Sequence, residues 1–129
     1  MKKACAVLAL ALATNVFAGD ADVKVTKASG ADARTIAEIV KGAASLDRKT
    51  VVVRAKVVKY TPEVMGKNWL HLRDGSGTPA DNTNDLVATT KDATKVGDTV
   101  VVRGVVRTDV DIGSGYFFKV LIEDASVQK

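Results

Sequence analysis

Trp69, His71 and Arg73 alternate along one short segment, Asn68-Trp69-Leu70-His71-Leu72-Arg73. Successive side chains of an extended strand point to opposite faces, so these three project together while Leu70 and Leu72 point the other way. The leucine side reads as core. The opposite side then carries a flat indole beside cationic and hydrogen-bonding groups. That pairing holds single-stranded nucleic acid, with stacking worth about 1–3 kcal/mol per base and salt-sensitive phosphate contacts from Lys and Arg. An exposed tryptophan needs cover, so the competing reading packs Trp69 under the tail or a loop as a hydrophobic anchor.

Other reactive constellations are sparse. His71 is the single histidine of the sequence, so no triad or histidine metal site can be assembled around it. Cys5 is the single cysteine, and it lies in an N-terminal stretch with the marks of a leader. Lys2 and Lys3 form a positive start, residues 4–13 an apolar run too short to span a bilayer, and Val16-Phe17-Ala18 a small-residue cleavage site. Cleavage after Ala18 removes Cys5, which excludes a disulfide or thiolate chemistry in the mature chain. Asp109-Val110-Asp111 and the run from Asp81 to Asp85 place oxygen donors at alternate positions, but neither completes a calcium loop. No phosphate-cradling loop or nucleophile elbow is present. The chain is therefore read as a binding protein, not an enzyme, with no cofactor.

With 129 residues there is room for one core. The 19 basic side chains less Lys2 and Lys3 leave 17 against 15 acidic ones, a net +2 in place of the precursor's +4. So weak an excess matters only where it gathers on one face. Residues 19–34 are small or polar without apolar period and read as a mobile tail. Thr35-Ile36-Ala37-Glu38 matches a capping box, and Ile36, Ile39, Val40, Ala43 and Leu46 continue at helical spacing for about three turns. From residue 50 the chain turns β-branched, and five strands are expected, at about 50–60, 68–73, 85–90, 99–110 and 116–127. Pro62 is expected to end the first, and the glycines of Asp74-Gly75-Ser76-Gly77 to form a turn after the second. Thr50-Val51-Val52-Val53-Arg54 recurs as Thr99-Val100-Val101-Val102-Arg103. Five such strands avoid exposed edges by closing into a small barrel. The fold class is mainly β: a signal peptide (1–18), a tail (19–34), and one domain (35–129) with a short N-terminal helix on a five-stranded barrel.

The segment from Met65 to Gly77, together with Val96-Gly97-Asp98, Gly113-Ser114-Gly115-Tyr116 and Ile122-Glu123-Asp124-Ala125, resembles small exported bacterial OB-fold proteins. Members are often labelled DNA-binding or nucleotide-binding, and some occur with periplasmic c-type cytochrome nitrite reductase systems. The resemblance implies an OB barrel whose ligand face lies on the second and third strands, between the loops at about 61–67 and 111–115. Residues 91–98 are too short for the helix usual between strands three and four, so the N-terminal helix is expected to plug the barrel's open end. Alternation places Arg54, Lys56 and Tyr60 outward on the first strand and Arg103 and Arg107 outward on the fourth. With Lys67, these are expected to join Trp69, His71 and Arg73 in one basic stripe if the faces adjoin. The expected function is an exported, periplasmic or secreted, binding module for single-stranded nucleic acid or another extended anionic ligand. The alternative is an accessory protein docking onto an exported partner such as a c-type cytochrome system, with no membrane attachment after cleavage.

Overall fold

In the computed structural model, which describes residues 23–129, the β-branched run after Lys49 forms β1 (Thr50–Val64). Val51, Val53, Ala55 and Val57 are buried along it and the residues between them only partly so. The expected signal peptide lies outside the described residues. The repeated pentapeptide opens β4 (Thr99–Gly113), and its two copies lie side by side antiparallel, Val53 opposite Val102 and Arg54 opposite Val101. β2 (Lys67–Arg73) returns antiparallel to β1, and β3 (Leu86–Thr90) is antiparallel to β2. β5 (Tyr116–Gln128) runs parallel to β3 and antiparallel to β4. The protein is thus mainly β, a mixed five-stranded sheet, and the order β1-β2-β3-β5-β4 closes into a barrel as β4 meets β1.

Two strands outrun their expected ends. β1 continues through Pro62 because the ladder is already irregular there: the register shifts between Thr61 and Val64, and Glu63 has φ 56°. A proline that donates no ladder bond is tolerated at such a bulge. β4 continues to Gly113 and, with the start of β5, forms a two-stranded arm. β1 pairs with β4 only as far as Thr50 opposite Val105, and β3 pairs with β5 only from Leu121, the partner of Arg107, so among the described residues the arm beyond Arg107 and Leu121 has no third strand.

The helix is interrupted. α1 (Ile36–Lys41) opens with the expected capping box: Glu38 N–H donates to Thr35 Oγ1, and Thr35 N–H donates to Glu38 Oε1. α2 (Ala43–Leu46) follows after Gly42. Ile36 and Ile39 are fully buried and share one core cluster with Val51, Leu72, Leu86 and Val106 of the barrel. Burying side chains of this size contributes about 1.5–3 kcal/mol each, which is what seats so short a helix on the barrel.

The Asp74-Gly75-Ser76-Gly77 segment does more than turn the chain. Asp74 Oδ2 accepts the Ile36 N–H and Ser76 Oγ accepts the Ala37 N–H, each at 2.9 Å, so the end of β2 caps the first amides of α1. The Val23 carbonyl lies where a Cβ on residue 75 would go, and the Thr83 carbonyl does the same at 77; both residues have positive φ, so glycine is required twice over.

The tail expected to be mobile is tied down from Val23 onward. Asp32 and Arg34 bond the two backbone groups of Val52, at 2.9 Å each, along a stretch of β1 that β2 does not reach. Val25 N–H donates to Asp74 O, and Val23, Ala28 and Ala33 are buried. Backbone pairing, which leaves no apolar period, holds this segment.

Asp74→Ala leaves the Ile36 amide buried without its acceptor and is expected to destabilise the protein by about 1–3 kcal/mol, read as a lower urea midpoint at unchanged m-value. Glu38 titrates below its ordinary value, first because it accepts the Thr35 N–H and then because Lys27 pairs with it at 3.0 Å. A depressed folded-state pKa contributes stability above the unfolded value that is lost as pH falls through the folded one. Glu38 is well exposed, so the margin of wild type over Glu38→Gln is expected to be no more than about 0.5 kcal/mol at neutral pH after screening. It should close on acidification.

Candidate ligand-binding face

Leu70 and Leu72 are fully buried, while Trp69, His71 and Arg73 lie half-buried on the outer side of β2, as alternation requires. Cross-strand pairing sets their neighbours. Trp69 sits between Thr61 of β1 and Thr89 of β3, His71 between Lys59 and Val87, and Arg73 opposite Lys56.

Lys59 replaces Tyr60 on this face. The β1–β2 register shifts between Val57 and Lys59, so Tyr60 lies opposite Leu70 and packs against the core, contrary to the alternation of the sequence. One inserted residue exchanges the two sides of everything beyond it.

The basic stripe forms only in part. Lys56, Lys59, His71 and Arg73 share one side of the β1–β2 pair. Arg54 is drawn away, donating to the carbonyls of Thr26 and Lys27 in the docked N-terminal segment. Arg103 lies opposite Val52 and Ser126, on a strand flanked by β1 and β5, and so does not join Trp69. Arg107, on the same strand, pairs with Glu123 at 2.9 Å. Lys67 reaches Asp124 at 3.8 Å. Asp85, just before β3, stands 4.0 Å from both His71 Nδ1 and Arg73 Nε, which lowers the positive potential there.

The indole itself is covered. Phe118 of the arm stacks on Trp69 with ring centroids 5.5 Å apart and planes 24° from parallel. Trp69 Nε1–H donates to Val64 O at 2.9 Å, joining the tip of the β1–β2 hairpin to the same ring. Thr89, on the same side, is only 1% exposed, its hydroxyl accepting the Asp124 N–H. Both long hairpins therefore converge on Trp69, and their tips stay open to solvent: Met65 is 64% exposed, Tyr116 61% and Phe117 58%. Behind the arm lies a cleft of about 750 Å³, walled by Val40 and Ala44 of the helices, Asp81 and Asp85 of the loop before β3, and Phe117 and Phe118.

No family model matches the chain, and no curated protein and no solved structure is significantly similar to it.

The acidic runs serve as turn chemistry. Asp81 Oδ1 accepts the hydroxyls of Thr83 and Thr78, which hold its carboxyl below the usual range, and Asp111 Oδ1 accepts the Gly113 N–H. Among the described residues no group of three His, Cys, Asp or Glu side chains is placed to hold a metal ion.

Lys59, Asp85 and Phe118 are the members of this face that sequence reasoning missed. The Tyr116-Phe117-Phe118 run is the one signal that pointed to the arm. A two-stranded ribbon is at best marginally stable by itself, so the Trp69 contact should govern its order. Trp69→Ala is expected to speed amide hydrogen exchange across residues 110–118 by about two- to tenfold, the equivalent of an aromatic pair worth roughly 0.5–1.5 kcal/mol. Amides of the barrel core should keep their protection.

Proposed function

We propose that this protein is an exported, non-enzymatic OB-type binding module whose ligand face is the outer side of β2 and β3, clasped by the β1–β2 and β4–β5 hairpins. The ligand in this reading is single-stranded nucleic acid or another extended anionic chain bearing flat rings. The observation that carries it is the grouping of Trp69 with Lys59, His71, Arg73 and Lys56 on one side of the β1–β2 pair. The OB reading draws support from the strand order β1-β2-β3-β5-β4, with β3 parallel to β5. It places ligands on strands two and three between the hairpins joining strands one to two and four to five. The helices seated on the barrel core then stand in for the one absent between β3 and β4. Export rests on the leader-like residues 1–18, with the periplasm as the compartment. Among the described residues no helix is long and apolar enough to cross a membrane.

In mechanism, a base stacks on the indole while Lys59, Arg73 and Lys56 meet the phosphates that flank it, and His71 adds a hydrogen bond. Asp85 sets a limit on affinity, since a phosphate approaching Arg73 also approaches a carboxylate.

A second reading follows from the exposed Tyr116, Phe117 and Met65. Aromatic residues dominate protein interfaces, and the hairpin tips would then dock onto an exported protein partner, such as a c-type cytochrome system.

Titrating oligo(dT) against the fluorescence of Trp69, the only tryptophan in the sequence, separates the two. The proposed face gives saturable quenching that weakens about tenfold between 50 and 200 mM salt, as expected for two or three phosphate contacts. Trp69→Ala, followed by anisotropy of a labelled oligonucleotide, should weaken binding about ten- to a hundredfold. An unchanged spectrum with oligo(dT) and heparin alike contradicts the anionic-ligand reading and favours the docking one.

A further inference from the structure

We propose that Phe118 is a built-in competitor for the stacking position on Trp69, so that the β4–β5 arm shuts the ligand face in the free protein and a ligand ring opens it by displacement. This inference rests on the reading of that face as the binding site.

The arm has the build of a part that moves about a fixed root. Its root is pinned by the Arg107–Glu123 ion pair at 2.9 Å and by the Thr108 N–H donating to Asp47 Oδ1 at 3.1 Å. Immediately beyond, Asp109 takes φ 54°, a left-handed conformation that bends the strand at a residue other than glycine. From there to the turn at Ser114 and Gly115, the sheet bonding among the described residues runs only between β4 and β5, as in Val110 opposite Phe118 and Gly113 opposite Tyr116. The ring contact with Trp69 joins the arm to β2.

Displacement has somewhere to go. Phe118 lines both the Trp69 stack and the cleft of about 750 Å³ between the arm and α1–α2, so a small rotation of the arm carries its ring off the indole into existing space. Tyr116 and Phe117, already exposed beside it, become further stacking surfaces for the incoming chain. An intramolecular aromatic pair and a base–aromatic stack are of similar strength, so one ring barely displaces Phe118. A ligand with several rings and flanking charges does so readily. The device therefore selects for extended multi-ring ligands against isolated small aromatics.

The test compares oligo(dT) binding by the purified wild-type protein, Phe118→Ala and Phe118→Leu, read by labelled-oligonucleotide anisotropy, with acrylamide quenching of Trp69 in the free proteins. The expected result is about three- to tenfold tighter binding by Phe118→Ala, with a smaller gain for Phe118→Leu. Both free variants should show a red-shifted, more readily quenched Trp69. If wild type binds and both variants bind no tighter, Phe118 is a wall of the site and the displacement proposal fails while the ligand face stands. If neither wild type nor either variant binds, the ligand face and the displacement proposal fail together. Phe118→Leu keeps an apolar side chain on the arm and supplies the comparison should Phe118→Ala fail to fold.

Discussion

Beyond Arg107 and its partner Leu121 the β4–β5 ribbon has run past both β1 and β3, and among the described residues side chains hold it there instead of a third ladder. The contact that meets this need is the stack of Phe118 on Trp69. The indole is fixed in turn: Leu70 and Leu72, fully buried on either side of the strand's alternation, leave it no orientation but outward, and its N–H is spent on Val64 O. One ring thus ties together both long hairpins and the strand between them. The same ring is the best stacking surface on that side of the barrel, so holding the arm and holding a ligand compete for it.

The helices that face the arm across the cleft are held by a different constraint. A helix of six residues cannot stand by itself in water, and α1 is stabilised from outside by Ile36 and Ile39 in the barrel core and by Asp74 and Ser76 on its first amides. The side chains that finish β2 therefore start the helix, and the docked segment from Val23 passes over Gly75 where no side chain would fit. The hairpin tips, by contrast, carry an aromatic, partly exposed surface. Local stability in proteins is commonly divided in this way between rigid support and binding segment.

The parts legible in the sequence were those with a clean local period. β2 alternates without interruption, so its two faces were readable from six residues, and Thr35 with Glu38 announced the start of the helix. The repeated pentapeptide marked two strands that turn out to be partners. What escaped had no local period to show. A bulge beside Val58 exchanges Lys59 and Tyr60 between the faces, and nothing in a run of valines signals an inserted residue. The tail binds through backbone groups to Val52, which any sequence supplies. Asp74 and Ser76 read as turn formers because the amides they cap lie far away in the chain, and Phe118 meets Trp69 only once β4 and β5 have paired. Arg103 and Arg107 lie on a strand that barrel closure sets apart from β2, and Arg54 is engaged by the docked N-terminal segment, so none of the three joins Trp69.

The most direct measurement of the central claim is a two-dimensional NMR titration that follows the Trp69 indole N–H and the Phe118 ring protons as oligo(dT) is added. Both are expected to shift together and saturate at one stoichiometry, with nuclear Overhauser contacts between the two rings replaced by contacts from Trp69 to base protons. An indole N–H and a Phe118 ring that stay unmoved while other residues respond would place the ligand elsewhere and contradict the claim.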